Sequence, residues 1–234
     1  MRTINLLPAL LLASPVLAME QHMDAMPVAK LAVDHLEQRF DGDEQGLSWE
    51  AEGTYGNDLH KLVLKSSGER SDDGPTESSE TQLLYRRMAT EFFDWQAGVR
   101  HDDQPGPARS YAVLGIKGLA PQWIELDANL FLSERGDPSQ RVEAEYELLL
   151  TQRWVLEPKL EYDLVLADDR DLGIGAGGST LEAGLRLNYR VSPQFSPYVG
   201  YVWEKSYGRT GDWLREEGEH DEEGAWLVGL KFWL

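Results

Sequence analysis

From about residue 28 onward, apolar and polar side chains alternate with a period of two, over runs of ten residues or more. Ile124, Leu126, Ala128, Leu130 and Leu132 stand against Glu125, Asp127 and Asn129. Val142, Ala144, Tyr146, Leu148 and Leu150 stand against Arg141, Glu143, Glu145 and Glu147. Leu181, Ala183, Leu185, Leu187 and Tyr189 oppose Glu182, Arg186, Asn188 and Arg190, and Leu47, Trp49, Ala51, Gly53 and Tyr55 oppose Ser48, Glu50, Glu52 and Thr54. The run from Trp226 through Val228, Leu230 and Phe232 to Leu234 repeats the pattern. Successive strand side chains point to opposite faces, so each segment has one greasy face and one ionic face. A sheet of such strands, closed on itself with the apolar face outward, crosses a membrane with every backbone group paired.

The first residues read as an export signal. Arg2 precedes the apolar stretch Leu6–Leu12, and Ser14–Ala18 ends in a small residue, so residues 1–18 are expected to be cleaved. That stretch is too short for a convincing membrane helix, and no later stretch approaches one. The 234 residues carry 22 basic and 41 acidic side chains, a net charge of −19. Such acidity repels nucleic acid and attracts cations. The absence of cysteine excludes disulfides and thiolate metal sites.

The periodicity predicts strands near 28–39, 47–56, 60–69, 79–89, 92–102, 109–118, 122–134, 138–152, 154–167, 177–190, 197–208 and 224–234. Short turns are expected to alternate with longer loops rich in Gly, Pro and Asp, as in outer-membrane barrels. The expected fold is therefore all-β: an antiparallel, up-and-down transmembrane barrel over residues 28–234. Twelve strands satisfy the even-number rule if the weakly patterned 28–39 is the first, and ten is the alternative. A short flexible arm, residues 19–27, precedes it. Tyr55, Trp95, Trp123, Trp154, Tyr198 and Trp233 lie near short turns or the C-terminus, which predicts an aromatic belt at the periplasmic edge. A soluble barrel turned inside out shares the alternation. Strand length, the belt and the export signal favour the membrane.

Two places carry possible chemistry. The ionic face is expected to line the lumen, either as a self-satisfied polar network or as a cation path through acids such as Glu125, Asp127, Glu143 and Glu145. The arm places Met19, His22, Met23 and Met26 within eight residues. Thioether and imidazole suit copper better than magnesium or calcium, which prefer oxygen. Catalysis finds little support. His35, His60, His101 and His220 are widely spaced, and Ser110 could reach His101 across a hairpin, but the sequence offers no third group to orient the pair.

The stretches WEAEGTYGNDLHKLVLKSSGE (49–69), DWQAGVRHD (94–102), GLAPQWIELDANLFL (118–132), EAEYELLLTQR (143–153), EAGLRLNY (182–189) and SPYVGYVWEKSYG (196–208) resemble the copper resistance protein B family (CopB/PcoB). The resemblance covers nearly all of the chain after residue 18. It implies a β-barrel in the outer membrane of a Gram-negative cell, in a periplasmic copper-handling system beside a multicopper oxidase partner. Family members often carry a longer Met- and His-rich N-terminal segment, which here is reduced to MEQHMDAM. The expectation is a non-enzymatic protein that binds copper ions, sits in outer-membrane lipid, and sequesters or passes the metal. A passive pore and an outer-membrane lipase are the alternatives.

Overall fold

The computed structural model describes residues 26–42, 44–72, 74, 76–104, 106–168, 175–177, 179–218 and 220–234. The expected leader and the arm residues Met19, His22 and Met23 lie outside them; Met26 lies within and is exposed. The described chain forms one antiparallel sheet that closes into a barrel of twelve strands. They are β1 (Val28–Asp41), β2 (Glu44–Gly56), β3 (His60–Ser71), β4 (Thr76–Met88), β5 (Phe93–Gln104) and β6 (Arg109–Ala120). Then come β7 (Ile124–Ser133), β8 (Pro138–Tyr146), β9 (Trp154–Val165), β10 (Ser179–Tyr189), β11 (Phe195–Tyr207) and β12 (Glu222–Trp233). Leu148–Leu149 continues β8 in the same register against β9. Each strand pairs with its sequence neighbour, and β1 pairs with β12 from Ala32↔Trp233 to Phe40↔Trp226. Among the described residues no helix is long and apolar enough to cross a membrane.

The sides of the wall are as the alternation requires. Leu62, Leu64, Leu83, Val99, Leu114, Leu130, Leu160, Leu185, Val199 and Val228 are exposed on the outside. Their neighbours on the same strands, among them Gln82, Arg86, Gln96, Asp127, Asn129, Glu157, Lys159 and Arg186, are buried in the lumen. A contiguous apolar surface of this extent is stable against lipid, not against water. Tyr55, Trp95, Trp123, Trp154 and Trp233 are exposed near the short turns, as a belt requires. Tyr198 is the exception. It is buried, because its place in β11 turns it into the lumen.

Strand β1 shows why its pattern reads weakly. Against β2 the register steps from Val33↔Ala51 to His35↔Glu50, and against β12 from Val33↔Phe232 to Leu36↔Leu230. Asp34 is thus one extra residue, a β-bulge toward both neighbours. A one-residue slip exchanges the two faces of a strand. Lys30, Ala32 and Asp34 line lumen cavities before the bulge, and His35, Glu37 and Arg39 line them after it. Asp34 and His35 therefore enter the lumen together.

The loops differ from expectation in the first half of the chain. The strands extend further, leaving only 42–43, 72–75, 105–108 and 134–137 on the side expected to be long. Long connections occur only at 166–178 and 208–221. The last holds a helix, α1 (Gly208–Glu217), closed by Gly218 in the left-handed conformation (φ 85°), where glycine carries no Cβ penalty. Arg209 of this helix holds Asp168 of the preceding loop at 2.9 Å. Every connection at the end carrying Asn57–Leu59, Pro121–Trp123 and Leu234 is short, as periplasmic turns are.

Deleting Asp34 should leave a folded barrel, because both faces of β1 then alternate without interruption. Deleting Leu64 from the middle of β3 should block folding, because it turns Lys65 toward lipid at about 2–4 kcal/mol for that charge alone. The electrophoretic shift between unheated and boiled samples reads both outcomes.

Candidate functional site

The lumen is filled by ion pairs, many of which cross it instead of running between adjacent strands. Lys159 on β9 reaches Glu50 on β2 at 2.9 Å, and Lys65 on β3 reaches Asp127 on β7 at 2.7 Å. Arg141 on β8 binds Glu80 on β4 at 3.2 Å, and Lys117 on β6 binds Glu52 on β2 at 3.3 Å. Arg86 also grips Glu52, at 3.2 and 3.3 Å, and Arg100 holds Glu80 and Asp102, each at 2.8 Å. Ions held away from bulk water need such partners. Two cavities, of about 310 and 340 Å³, adjoin at Glu50, Glu143 and Lys159, one toward the loops and one toward the short turns.

On the short-turn side lies a different group. One ring nitrogen of His35 and one carboxylate oxygen each of Glu145 and Glu157 lie within 4.8 Å of one another. These residues come from β1, β8 and β9. His35 is 3% exposed and Glu157 2% exposed, yet His35 Nε2 and Glu157 Oε1 have no hydrogen-bond partner. Glu50 Oε2 stands 3.8 Å from that nitrogen. Lys231 Nζ donates to Glu157 Oε2 at 3.0 Å and to Glu145 Oε1 at 3.4 Å, so an ammonium already bridges the two acids.

A chain of contacts behind the imidazole sets its orientation. Arg186 donates two bonds of 3.0 Å to Glu37, a forked pair of fixed geometry. Tyr198 donates its hydroxyl proton to Glu37 at 2.8 Å, which leaves the phenol oxygen as acceptor toward His35 Nδ1 at 3.5 Å. The two rings meet edge-on at 6.1 Å. With Nδ1 carrying the proton, the lone pair sits on the unpartnered Nε2, the state in which imidazole binds a metal. Gly229 makes room for this chain. A Cβ there would come within 2.5 Å of the Tyr198 ring and 2.8 Å of Glu37 Cβ.

The acids singled out from the sequence have different fates. Glu145 belongs to the His35 group. Asp127 is saturated by Lys65, Gln96 and Asn129. Glu143 lies 3.7 Å from Lys159, and Glu125 faces the short-turn cavity. His35, Glu157 and Lys231 escaped the sequence reading. The alternation of β9 and β12 does place Glu157 and Lys231 inward, but the bulge hides His35. Of the arm ligands only Met26 is described, and it is exposed.

Ser110 does meet His101 across the β5–β6 hairpin, Oγ to Nδ1 at 2.9 Å, and folding adds a third group that the sequence did not offer. Asp103 lies 3.4 Å from His101 Nε2. The Asp103 side chain is 68% exposed, so water screens its hold on the ring. The three form a solvated cluster on the rim.

A family model described as copper resistance protein B precursor (CopB) matches residues 28–234. A copper resistance protein B homolog of Pseudomonas syringae pv. tomato is 39% identical over 201 residues, covering 86% of this chain and 68% of that protein. Copper resistance protein B of Escherichia coli is 38% identical over 202 residues, with the same coverage of 86% and 68%. Among solved structures, the NanC porin superposes with a TM-score of 0.56 at 11% identity, covering 88% of this chain and 99% of that one. The KdgM porin superposes with a TM-score of 0.50 at 11% identity, covering 88% and 98%. At that identity the likeness to porins concerns the fold alone. An apolar wall around an ionic lumen, in this fold and with these relatives, places the barrel in the outer membrane.

Gly229→Ala should destabilise the folded barrel by roughly 1–3 kcal/mol, since the new methyl separates Tyr198 from Glu37. Chemical unfolding in lipid vesicles, followed by tryptophan fluorescence, measures the loss.

Proposed function

Starting from the fact that this chain belongs to the copper resistance protein B family, we propose that it is a non-enzymatic protein that binds copper ions as cargo at the periplasmic side of the outer membrane. The arm, with Met19, His22, Met23 and Met26, captures the ion through soft sulfur and imidazole donors. The acidic lumen then holds it or passes it on. Exchange with a periplasmic multicopper oxidase belongs to the same reading.

One observation carries the choice of a binding protein over a passive pore. Lys159–Glu50, Lys65–Asp127 and Arg141–Glu80 cross the lumen at different levels, and each joins strands far apart around the wall. Side chains so arranged narrow the passage that an open pore needs. The excess of acids supports a cation as the cargo, because a protein of net negative charge concentrates positive ions.

Planar-bilayer recording should show no large, steady conductance in the absence of copper; an open-pore conductance indifferent to copper would favour the passive pore. Changing Met19, His22, Met23 and Met26 together to alanine should weaken copper binding at least about tenfold, on the scale of losing ligands to a soft metal. Isothermal titration and growth on copper measure it, and unchanged values in both would remove the arm from the mechanism.

A further inference from the structure

We propose that His35, Glu145 and Glu157 form a binding site for divalent copper on the periplasmic side of the lumen, and that Lys231 is the cation the metal must displace. This rests on the copper-binding reading and adds which residues hold the ion, in which oxidation state, and what gives way to it.

Three observations converge on the site. The three side chains present one nitrogen and two oxygens within 4.8 Å of one another, from three separate strands. Two buried atoms of the group, His35 Nε2 and Glu157 Oε1, are unpartnered. A buried polar atom without a partner costs free energy, and a ligand is one reason to tolerate it. The third is the Arg186–Glu37–Tyr198 chain behind His35, which steadies the ring and favours the ligating tautomer. The donor set contains no sulfur. Imidazole with carboxylates suits Cu(II) and disfavours Cu(I), which seeks thioether or thiolate.

Lys231 supplies the exchange. Its ammonium neutralises the same two carboxylates that the metal would use. A dication and an ammonium repel strongly at this separation, so the lysine must move as the ion enters. Asp34 lines the same cavity of about 340 Å³ as Lys231, and the bulge is what turns it inward. It offers the displaced ammonium a carboxylate. A third cavity, of about 470 Å³, runs from Glu157 and Lys231 to Pro193 and Gln194 in the last short turn and gives the ion an approach from the periplasm.

The test uses the full chain with Met19, His22, Met23 and Met26 changed to alanine, folded in detergent and titrated with Cu(II) alone. Electron paramagnetic resonance should show copper coupled to a single imidazole nitrogen. His35→Gln should abolish that coupling, and Glu157→Gln should weaken binding at least about tenfold. Lys231→Met should tighten it by about tenfold or more, because a competing positive charge is removed. The unheated electrophoretic band verifies folding of each variant. Nitrogen coupling that survives His35→Gln overturns the site, and unchanged or weaker binding by Lys231→Met overturns the exchange. Cu(II) binding by the natural sequence that vanishes with the arm changes overturns the site while leaving the copper-binding reading intact. No copper binding by the natural sequence overturns that reading itself.

Discussion

Everything in this molecule depends on the seam between its first and last strands. Leu31 donates to the carbonyl of Leu234 at 3.1 Å, and Leu234 returns the bond to Leu31 at 2.8 Å. In hydrocarbon no water is available to satisfy an open sheet edge, so a strand wall is viable only when closed. Closure then decides what each side chain sees. The leucines and valines of one face meet lipid, and the charged residues of the other are confined to a narrow lumen. Confinement forces them to find one another. Glu50 and Lys159 lie 109 positions apart in sequence, and Glu37 and Arg186 149 apart, yet they form buried or half-buried pairs because the wall curves them together.

The interior illustrates what low dielectric does to a set of charges. Pairs such as Lys65–Asp127 and Arg186–Glu37 are close and hydrogen-bonded, the arrangement that offsets desolvation. They give the lumen a fixed pattern more than they add stability. Within that pattern His35 Nε2 and Glu157 Oε1 are among the buried atoms without a hydrogen-bond partner, and both belong to residues of one cluster. The chain belongs to the copper resistance protein B family, and imidazole with carboxylates is a donor set that suits Cu(II).

How far this was legible in the sequence varies from strand to strand. In β7, Ile124–Asn129 alternates without a fault, and its faces in the structure are those of the pattern, while Phe131 is an apolar residue on the inward face. In β1 the alternation breaks at Asp34, so the strand could be counted only from the parity of the others, and His35 could not be placed on either face. Tyr198 was misread for a related reason. Its nearness to a short turn suggested the lipid belt, but its position in β11 points it at Glu37. Helix α1 gave no usable signal, being ten residues long with glycines at Gly208 and Gly211. The missing third partner of Ser110 and His101 was Asp103, two residues along the same strand and therefore on the same face.

Sequence alone determined the topology: a period of two, strands long enough to span, and an acidic face opposite a greasy one leave a closed membrane barrel as the consistent answer, because backbone pairing and lipid admit few others. The resemblance in several long stretches added the metal. Which acids are spent on lysines and arginines, and which remain available, emerges only in the folded barrel. That outcome depends on where the bulge falls and on distances across the lumen between strands remote in sequence, and a local periodicity carries neither.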